Sequence, residues 1–377
     1  MPDSNVARPA WERKLNPDPA RSFTLPSRYY TDPEIFHREG DAVFFRSWLY
    51  VGHVGDLPRP GSYLTFNILN QSVFIARGKD MTLRAFYNVC QHRAHELVKG
   101  AGEAKVITCP YHAWSYHLTG ELRTARGSEN VEGFRKEEFC LKQVRLEALG
   151  PLLFINLDPD AEPLAVQAAG FLDEMRRLVP GFDRMVRVGG GRGEVKANWK
   201  VVIDNYLECY HCQNAHPAFA TLVDLDSYRS VTHGIYSSHV SRSGRPDNKA
   251  YVFKPEDPVQ IGGFWWLWPN FTVNVVPGEH NMSLFYILPL GPDHTLQVAD
   301  YYHLTPETTP MRAARRAYGQ NVLSVEDNDL CEAVQRGLNS RGYVQGRFIV
   351  DRDRSEISEH AVHHFHMLYA DAIGEGR

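Results

Sequence analysis

The chain has 377 residues and a formal net charge of −4, with 43% hydrophobic and 23% charged residues, which is an ordinary composition for a globular protein. The nearly balanced charge argues against nucleic acid or an anionic membrane as a partner, and no apolar run has the length of a signal peptide or a transmembrane helix. We therefore expect a cytoplasmic protein of two domains, in which the six cysteines are metal ligands or core residues rather than a disulfide framework.

The predicted elements fall into three regions in chain order. Residues 1–44 form an N-terminal segment, and "EIFHREGDAVFFRSWLYV", which crosses its end, reads as a helix running into a strand. Residues 45–157 contain short apolar runs such as "SYLTFNIL" and "GPLLFINLD", the pattern of a small antiparallel β domain. Residues 158–377 combine sheet segments with helices, including a long helical region, 311–340, that Gly319 would interrupt. The predicted class is α+β, with the N-terminal segment packing on a larger domain made of a helix-covered antiparallel sheet.

Two cysteine–histidine pairs lie in the small β domain. Cys90 and His92 have C-x-H spacing, and Cys109 and His112 follow later with C-x-x-H spacing. Each short loop offers one thiolate and one imidazole. This suits a [2Fe–2S] cluster in which one iron takes two cysteines and the other takes two histidines. Structural zinc is the weaker alternative, because zinc fingers usually group their cysteines together.

The stretch "DNYLECYHCQNAHP" contains a second candidate site. On an unbroken helix the rings of His211 and His216 would diverge by about 140°, so we expect the helix to end or bulge between them, before the proline that follows. A carboxylate from "SVEDNDLCEAVQRG" would complete a two-histidine, one-carboxylate site for non-haem Fe(II), with positions left open for dioxygen. Asp327 is the preferred third ligand, and spacing alone leaves Glu326 and Asp329 open.

Two further groups of residues invite a metal or redox interpretation. Cys209 and Cys212 form a C-x-x-C, but no other cysteine pair is free to complete a zinc site, so we expect buried free thiols. The tail "EHAVHHFHM" places His360, His363 and His364 at helical spacing. We expect a partly exposed helix there rather than a metal site.

Together, the two motifs resemble those of the Rieske non-haem iron oxygenases, whose alpha subunit carries the oxygenase chemistry. "ANWKVVIDNYLECYHCQNAHP" is similar to the family pattern N-W-K…(D/E)-x-x-H-x4-H-P, and "EDNDLCEAVQRGL" is similar to its aspartate segment. The loop "CQHRAH" departs from the usual "CPHRG" or "CTHRG" at Gln91 and Ala94, neither of which is a ligand. The resemblance implies a Rieske domain at 45–157 and a catalytic mononuclear iron domain at 158–377.

The resemblance also implies roles for two carboxylates. Glu208 stands where most ring-hydroxylating members have aspartate, and glutamate there is similar to the oxygenases that act on carnitine, stachydrine and other betaines. By that resemblance Glu208, supported by Asp204, passes an electron from a cluster histidine of a neighbouring subunit to the iron at His211. A homotrimer is therefore implied. Electrons would come from NAD(P)H through a separate flavin and iron–sulfur reductase, since no GxGxxG opens a βαβ unit in this chain.

A quaternary ammonium substrate predicts an aromatic cage, because ring faces attract a cation that cannot donate hydrogen bonds. Alternation in "GGFWWLWPNF" puts Phe264, Trp266 and Trp268 on one face, and Tyr206 lies near the iron-binding segment, so we expect these four beside the iron. The reaction would hydroxylate a carbon next to nitrogen with O2, leading to N-demethylation or C–N cleavage. The alternatives are an aromatic-ring dioxygenase or O-demethylase of the same family, and a Rieske electron carrier with a degenerate second domain.

Overall fold

The computed structural model describes residues 12–375, which divide into two compact units. The smaller unit runs from Phe44 to Leu172, and the larger one combines the chain up to Val43 with the chain from Asp173 onwards. Sequence analysis set the second boundary at residue 157. The smaller unit continues beyond it because the Glu147 carboxylate accepts a hydrogen bond from the Leu164 amide, at 2.8 Å. No helix within residues 12–375 is both long enough and apolar enough to cross a membrane.

Three of the α-helices in the described range, α2, α5 and α8, begin at a side chain that caps them. Helix α2 starts with a proline directly after Asp32, whose side chain accepts a hydrogen bond from the Glu34 amide. Helix α5 starts directly after Asn198, whose side chain accepts a hydrogen bond from the Lys200 amide. The helices are α1 (Arg28–Thr31), α2 (Pro33–Ala42), α3 (Leu164–Gln167), α4 (Phe171–Leu178), α5 (Trp199–Tyr206), α6 (Cys212–Ala215), α7 (Phe219–Leu222), α8 (Pro310–Tyr318), α9 (Ser324–Leu338) and α10 (His360–Ala372).

The smaller unit is built from antiparallel strands. Its strands are β1 (Leu49–His53), β2 (Ser62–Ile68), β3 (Gln71–Arg77), β4 (Leu83–Tyr87), β5 (Ala101–Glu103), β6 (Ile107–Thr108), β7 (Ser115–Tyr116), β8 (Leu122–Thr124), β9 (Gln143–Leu149) and β10 (Leu152–Asn156). Seven of them pair in the order β1-β10-β9-β4-β3-β2-β5, and the three short ones pair as β6-β7-β8. The core beneath the short sheet includes Phe74 and Phe86 and reaches the two cysteines Cys90 and Cys109, so the cysteine loops rest on packed apolar side chains.

The larger unit contains one seven-stranded antiparallel sheet in the order β11-β17-β16-β15-β14-β13-β12. Helices α5, α9 and α10 contact strands of this sheet. The predicted α+β class, a small antiparallel domain plus a helix-covered antiparallel sheet, is confirmed. The strands are β11 (Val186–Val195), β12 (Arg229–Thr232), β13 (Tyr236–Ser241), β14 (Gly262–Leu267), β15 (Phe271–Val275), β16 (Met282–Gly291) and β17 (His294–His303).

A buried ion pair fixes helix α5, which leads into the candidate iron site. The Glu39 carboxylate on α2 accepts hydrogen bonds from the Lys200 ammonium, from Trp199 Nε1 at 2.7 Å and from the Tyr369 hydroxyl at 2.7 Å. The side chains of Glu39 and Lys200 are both 0% exposed. Burial lowers the pKa of Lys200, and the Glu39 charge opposes that shift. Helices α2, α5 and α10 are thus joined at one carboxylate.

The long helical region predicted at 311–340 forms two helices on either side of a wide turn. Helices α8 and α9 are connected by Gly319–Leu323, a turn of π-helix. The residues that bound this turn, Tyr318 and Ser324, keep right-handed helical angles, so the backbone stays helical through it. The interruption expected at Gly319 therefore widens the helix instead of ending it.

We expect Glu39→Ala to destabilise the larger unit by about 3–5 kcal/mol, because the Lys200 ammonium would remain buried without its anion. Denaturant unfolding followed by tryptophan fluorescence measures the change. Glu34→Ala, at an exposed position of the same helix, is the matched control and should cost about 0.5 kcal/mol. Equal losses in the two variants would contradict a stabilising role for the ion pair.

Candidate metal centres and active site

The four predicted cluster residues lie on two loops of the smaller unit. Cys90 and Cys109 are each 2% exposed, and burial raises the pKa of the Cys90 thiol, which lies next to Cys109. The rings of His92 and His112 have centroids 4.7 Å apart. Two neighbouring thiols and two neighbouring imidazoles are the donor set of a cluster with one iron on cysteines and one on histidines. The residues therefore fit a [2Fe–2S] group.

The backbones of the two cysteine loops share one hydrogen-bonding pattern. The amides of Ala94 and Ala113 donate to the carbonyls of Cys90 and Cys109, at 3.0 and 3.1 Å. Both alanines have left-handed angles, with φ of 54° and 57°. Ala94 stands where the family usually has glycine, so the loop keeps its shape at a conformational cost of about 1 kcal/mol.

Tyr116 directs a hydrogen bond at the sulfur of Cys90, a candidate cluster ligand. Its hydroxyl accepts the Gln91 amide at 3.0 Å and lies 3.3 Å from Cys90 Sγ, so its own proton points to the sulfur. Burial raises the pKa of Tyr116, which keeps that proton in place. A donor at a thiolate favours the more negative, reduced state of a cluster.

In the larger unit, the chain leaves the helix before the first candidate metal-binding histidine. Helix α5 ends at Tyr206, and His211 lies in the following turn. The short helix α6 then separates His211 from His216, where the angles become non-helical before Pro217. The chain thus departs from helical geometry earlier than the predicted break, and the two rings converge with centroids 4.9 Å apart.

His211, His216 and Asp327 bring three ligand atoms within 4.8 Å of one another. His216 Nε2 lies 3.1 Å from His211 Nε2 and 2.9 Å from Asp327 Oδ1. Burial lowers the pKa of His216, but its hydrogen bonds to Asp327 and Glu326 outweigh that effect and leave the pKa raised. Two imidazoles and a carboxylate in a negatively charged setting fit a divalent iron with open coordination positions.

A second carboxylate orients each imidazole. His211 Nδ1 lies 2.5 Å from Glu208 Oε1, and His216 Nδ1 lies 2.8 Å from Glu326 Oε2. With each Nδ1–H donating to a carboxylate, each Nε2 is left free to bind metal. Glu326 thus contacts the opposite side of the ring from the ligand position, and Asp329 is exposed. The alternatives to Asp327 that spacing left open are therefore not placed as ligands.

Asp204 is held by two donors from distant parts of the chain. The Leu25 amide donates to His366 Nδ1 at 3.1 Å, so Nε2 carries the proton and donates to Asp204 at 2.9 Å. The Tyr30 hydroxyl donates to the other carboxylate oxygen at 2.6 Å. Asp204 and Glu208 both line a surface cavity of about 280 Å³. Asp204 therefore ties the segment before Glu208 to α1 and α10.

The C-terminal helix α10 is partly exposed, as expected, with seven of its thirteen residues buried. His363 and the unpredicted His366 are 6% and 1% exposed, because α10 packs into the larger unit. His364 Nε2 bonds the Gly234 carbonyl, and His360 Nδ1 bonds the Ser358 hydroxyl. None of these histidines belongs to a metal-binding group within the described residues.

Cys209 and Cys212 form a disulfide, where buried free thiols were expected. The turn that presents His211 brings their Cα atoms 4.9 Å apart, within the range that a disulfide spans. Both cysteines line the cavity beside the metal ligands. The bond therefore closes the turn covalently around His211, the first candidate iron ligand.

A cavity of about 180 Å³ borders the three candidate ligands. The carboxylate side chains that line it are Glu208 and Asp327, and no lysine or arginine lines it among the described residues. The Tyr206 hydroxyl donates to Asn274 Oδ1 at 2.9 Å, which anchors this ring in the wall. Five aromatic side chains line the cavity: Tyr206, Phe219, Tyr228, Phe264 and Phe285.

Of the four aromatic residues expected beside the iron, the structure places Tyr206 and Phe264 in the cavity lining and Trp266 and Trp268 outside it. The two tryptophans pack on Phe365 of α10, with centroids 5.5 and 5.9 Å away, and do not line the cavity. Alternation correctly puts Phe264 and Trp266 on one face, but α10 covers the Trp266 end. Sequence reasoning missed three rings that line the cavity from other segments: Phe219, Tyr228 and Phe285. Only Phe219 lies beside a recognised motif, in "HPAF", which begins at His216.

Comparison with known families agrees with these two centres. Residues 47–135 match the Rieske [2Fe-2S] domain, and residues 182–375 match the catalytic domain of the ring hydroxylating alpha subunit. The chain belongs to the Rieske oxygenase family. Membership supports a Rieske cluster in the smaller unit and a mononuclear iron in the larger unit of this Rieske oxygenase.

Individual relatives of this Rieske oxygenase cover nearly all of the chain. It is 41% identical to the carnitine monooxygenase oxygenase subunit of Acinetobacter baumannii, over 94% of this chain and 95% of the relative. It is 31% identical to the chloroplastic choline monooxygenase of Amaranthus tricolor, over 91% of this chain and 76% of the relative. A crystal structure of a quaternary ammonium Rieske monooxygenase in complex with its substrate L-carnitine superposes with a TM-score of 0.86 at 38% identity, covering 96% of this chain and 99% of that one.

We expect Tyr116→Phe to lower the reduction potential of the cluster by about 40 mV, because one hydrogen bond to a sulfur ligand is worth about 1 kcal/mol. Protein-film voltammetry measures the potential, and the visible spectrum reports cluster content. Tyr111→Phe is the control, since that exposed residue contacts His112 only through its ring. An unchanged potential in a fully loaded Tyr116→Phe protein would remove the proposed effect of the hydroxyl.

Proposed function

We propose that this chain is the oxygenase component of a Rieske monooxygenase that acts on a quaternary ammonium compound. The observation that carries the proposal is the cavity beside His211, His216 and Asp327, which combines five aromatic rings with carboxylates and has no lysine or arginine among its described lining residues. A trimethylammonium group cannot donate a hydrogen bond, so ring faces and nearby negative charge are what attract it. The carnitine and choline monooxygenase relatives give independent support.

The proposed reaction hydroxylates a carbon bonded to the substrate nitrogen. One O2, two electrons and two protons convert a C–H bond to C–OH and release water. Hydroxylation of an N-methyl group gives a hemiaminal that releases formaldehyde and the demethylated amine. Attack at another carbon next to nitrogen cleaves the C–N bond to give trimethylamine and an aldehyde. A mononuclear iron supplies the O2 chemistry when bound, and NAD(P)H supplies the electrons through a separate reductase.

Residues of this chain position the reacting groups. Glu208 and Glu326 hold the two imidazoles so that each Nε2 faces the same point. Tyr206, anchored by its hydroxyl, presents its ring to the cavity. The packed aromatic wall excludes water from the position where the cationic head of the substrate would lie.

Glu208 is the proposed path for electrons, because it lines two cavities at once. It borders the aromatic cavity and also the surface cavity of about 280 Å³ that Asp204 borders. One oxygen bonds His211 Nδ1, so charge on Glu208 is coupled directly to an iron ligand. We propose that the cluster of a neighbouring subunit docks at this surface and that the oxygenase is a homotrimer.

A screen of substrates tests the proposed function. We expect carnitine, γ-butyrobetaine or choline to stimulate NADH-dependent O2 uptake by the iron-loaded protein with a reductase, with formaldehyde, trimethylamine or the demethylated amine as product. Aromatic acids and aromatic methyl ethers are the comparison set, since the same rings would also pack against a planar substrate. Stimulation and product only with aromatic compounds would replace the proposal with the ring-hydroxylating or O-demethylating alternative.

We expect Glu208→Gln to abolish substrate turnover even when both metal centres are fully loaded, because the amide carries no charge to link them. Iron content, the cluster spectrum and the product formed per NADH consumed are measured together. Glu326→Gln is the matched control, because Glu326 also bonds the Nδ1 of an iron-binding histidine. Both variants should bind iron more weakly, by about 10-fold or more, but only Glu326→Gln should turn over after iron is restored. Near-full coupled activity in Glu208→Gln would exclude the bridging role.

A further inference from the structure

A second cavity, of about 160 Å³, adjoins the aromatic cavity in the larger unit. Its charged lining is mainly cationic, since Arg312, Arg315 and Arg316 line it against one acidic residue, Glu307. The first cavity has carboxylates and no arginine, so the two differ in charge. They share six lining residues, which form a common wall: Phe219, Phe264, Asn274, Phe285, Gly319 and Leu323.

Arg315 has an unsatisfied nitrogen in this second cavity. Its side chain as a whole is half-buried, but Nη1 is buried and has no hydrogen-bond partner among the residues that the structure describes. Nη2 donates to His303 Nε2 at 3.0 Å, and His303 Nδ1 donates to the His280 carbonyl at 2.8 Å. This tautomer of His303 is neutral, and burial together with the nearby arginines lowers its pKa to about 4.

No carboxylate of the described residues forms an ion pair with Arg315. Glu279, the acidic side chain whose charge acts on Arg315, accepts hydrogen bonds from Arg312 Nε at 2.8 Å and from the Thr309 hydroxyl at 2.7 Å. Burial lowers the pKa of Arg315, as expected for a cation that lacks a close anion. Tyr318 lies one helical turn further on, lines the same cavity and also has a buried hydroxyl without a partner. The cavity therefore offers hydrogen-bond donors and positive charge that suit an anionic group.

Gly319 is the one residue of the common wall that has no side chain to fill the space beside it. This residue lines both cavities, and a Cβ added to it would meet no atom within 4 Å. Arg315 and the candidate iron ligand Asp327 lie on the same run of helix, separated by roughly 18 Å along a regular axis. A compact cation would therefore occupy only the aromatic cavity and would not reach Arg315. An elongated molecule would also reach the guanidinium.

We propose that Arg315 binds the carboxylate of a zwitterionic substrate whose trimethylammonium group lies in the aromatic cavity. This inference rests on the proposed function and narrows it to betaine-type acids, in which several bonds separate cation and carboxylate. The planar guanidinium matches a carboxylate through two parallel N–H···O bonds. Arg315 is thereby a specificity-determining residue that selects acids over alcohols and esters of similar size.

The test compares γ-butyrobetaine with its methyl ester, which keeps the cation and the chain but lacks the carboxylate. Steady-state kcat and KM are measured with the iron-loaded protein and a reductase, and binding is measured by calorimetry without the reductase. The wild-type protein should prefer the acid by about tenfold or more in kcat/KM. Arg315→Gln should reduce that preference to about twofold, mainly by raising KM for the acid. Arg315→Lys should restore part of it.

Arg336→Gln, at an exposed position of α9, is the control and should keep the wild-type preference. Melting temperatures establish that each variant is folded. Equal wild-type use of acid and ester, or equal losses for both in Arg315→Gln, would overturn the carboxylate site and leave the proposed function standing. If no quaternary ammonium compound stimulates O2 uptake, the proposed function fails. The calorimetric comparison then decides the carboxylate site separately.

Discussion

The active site depends on the contacts of two adjacent acidic residues, Glu326 and Asp327, with the imidazole of His216. Glu326 bonds His216 Nδ1 and Asp327 approaches Nε2, so the first turn of α9 holds the ring from both sides. His216 is 2% exposed and has no room to turn away. Consecutive residues on a helix point about 100° apart, which is what lets neighbours reach opposite nitrogens. The position of α9 therefore sets the geometry of the whole metal site.

Sequence spacing indicated candidate metal ligands that the structure brings together, but it said little about their surroundings. The mixed C-x-H and C-x-x-H loops have few other chemical uses, and His211 with His216 before a proline needs a broken helix. Spacing alone did not decide between Asp327 and Glu326, and the preference for Asp327 rested on resemblance to the family. Which of the two side chains faces the histidine segment is visible only in three dimensions. His366 gave no signal at all, since its partner Asp204 lies 162 residues away.

The aromatic residues show a related limit. Alternation along β14 reports which side chains share a face of the sheet, and it did so correctly for Phe264 and Trp266. It does not report what covers that face. Helix α10 buries one end of the strand and leaves the other end beside the metal ligands. Whether an aromatic residue of this strand lines the cavity or belongs to the core is thus decided by a helix that is distant in the sequence.

The π turn at Gly319–Leu323 has a consequence for how the two ends of the active site are aligned. A wide turn accommodates one more residue than a regular helical turn, and here it lies between the guanidinium of Arg315 and the carboxylate of Asp327. A chain of the same fold without that additional residue would present the arginine rotated by about 100°. Insertion or deletion of a single residue in this segment would then change the direction of the Arg315 side chain without replacing any of the candidate iron ligands.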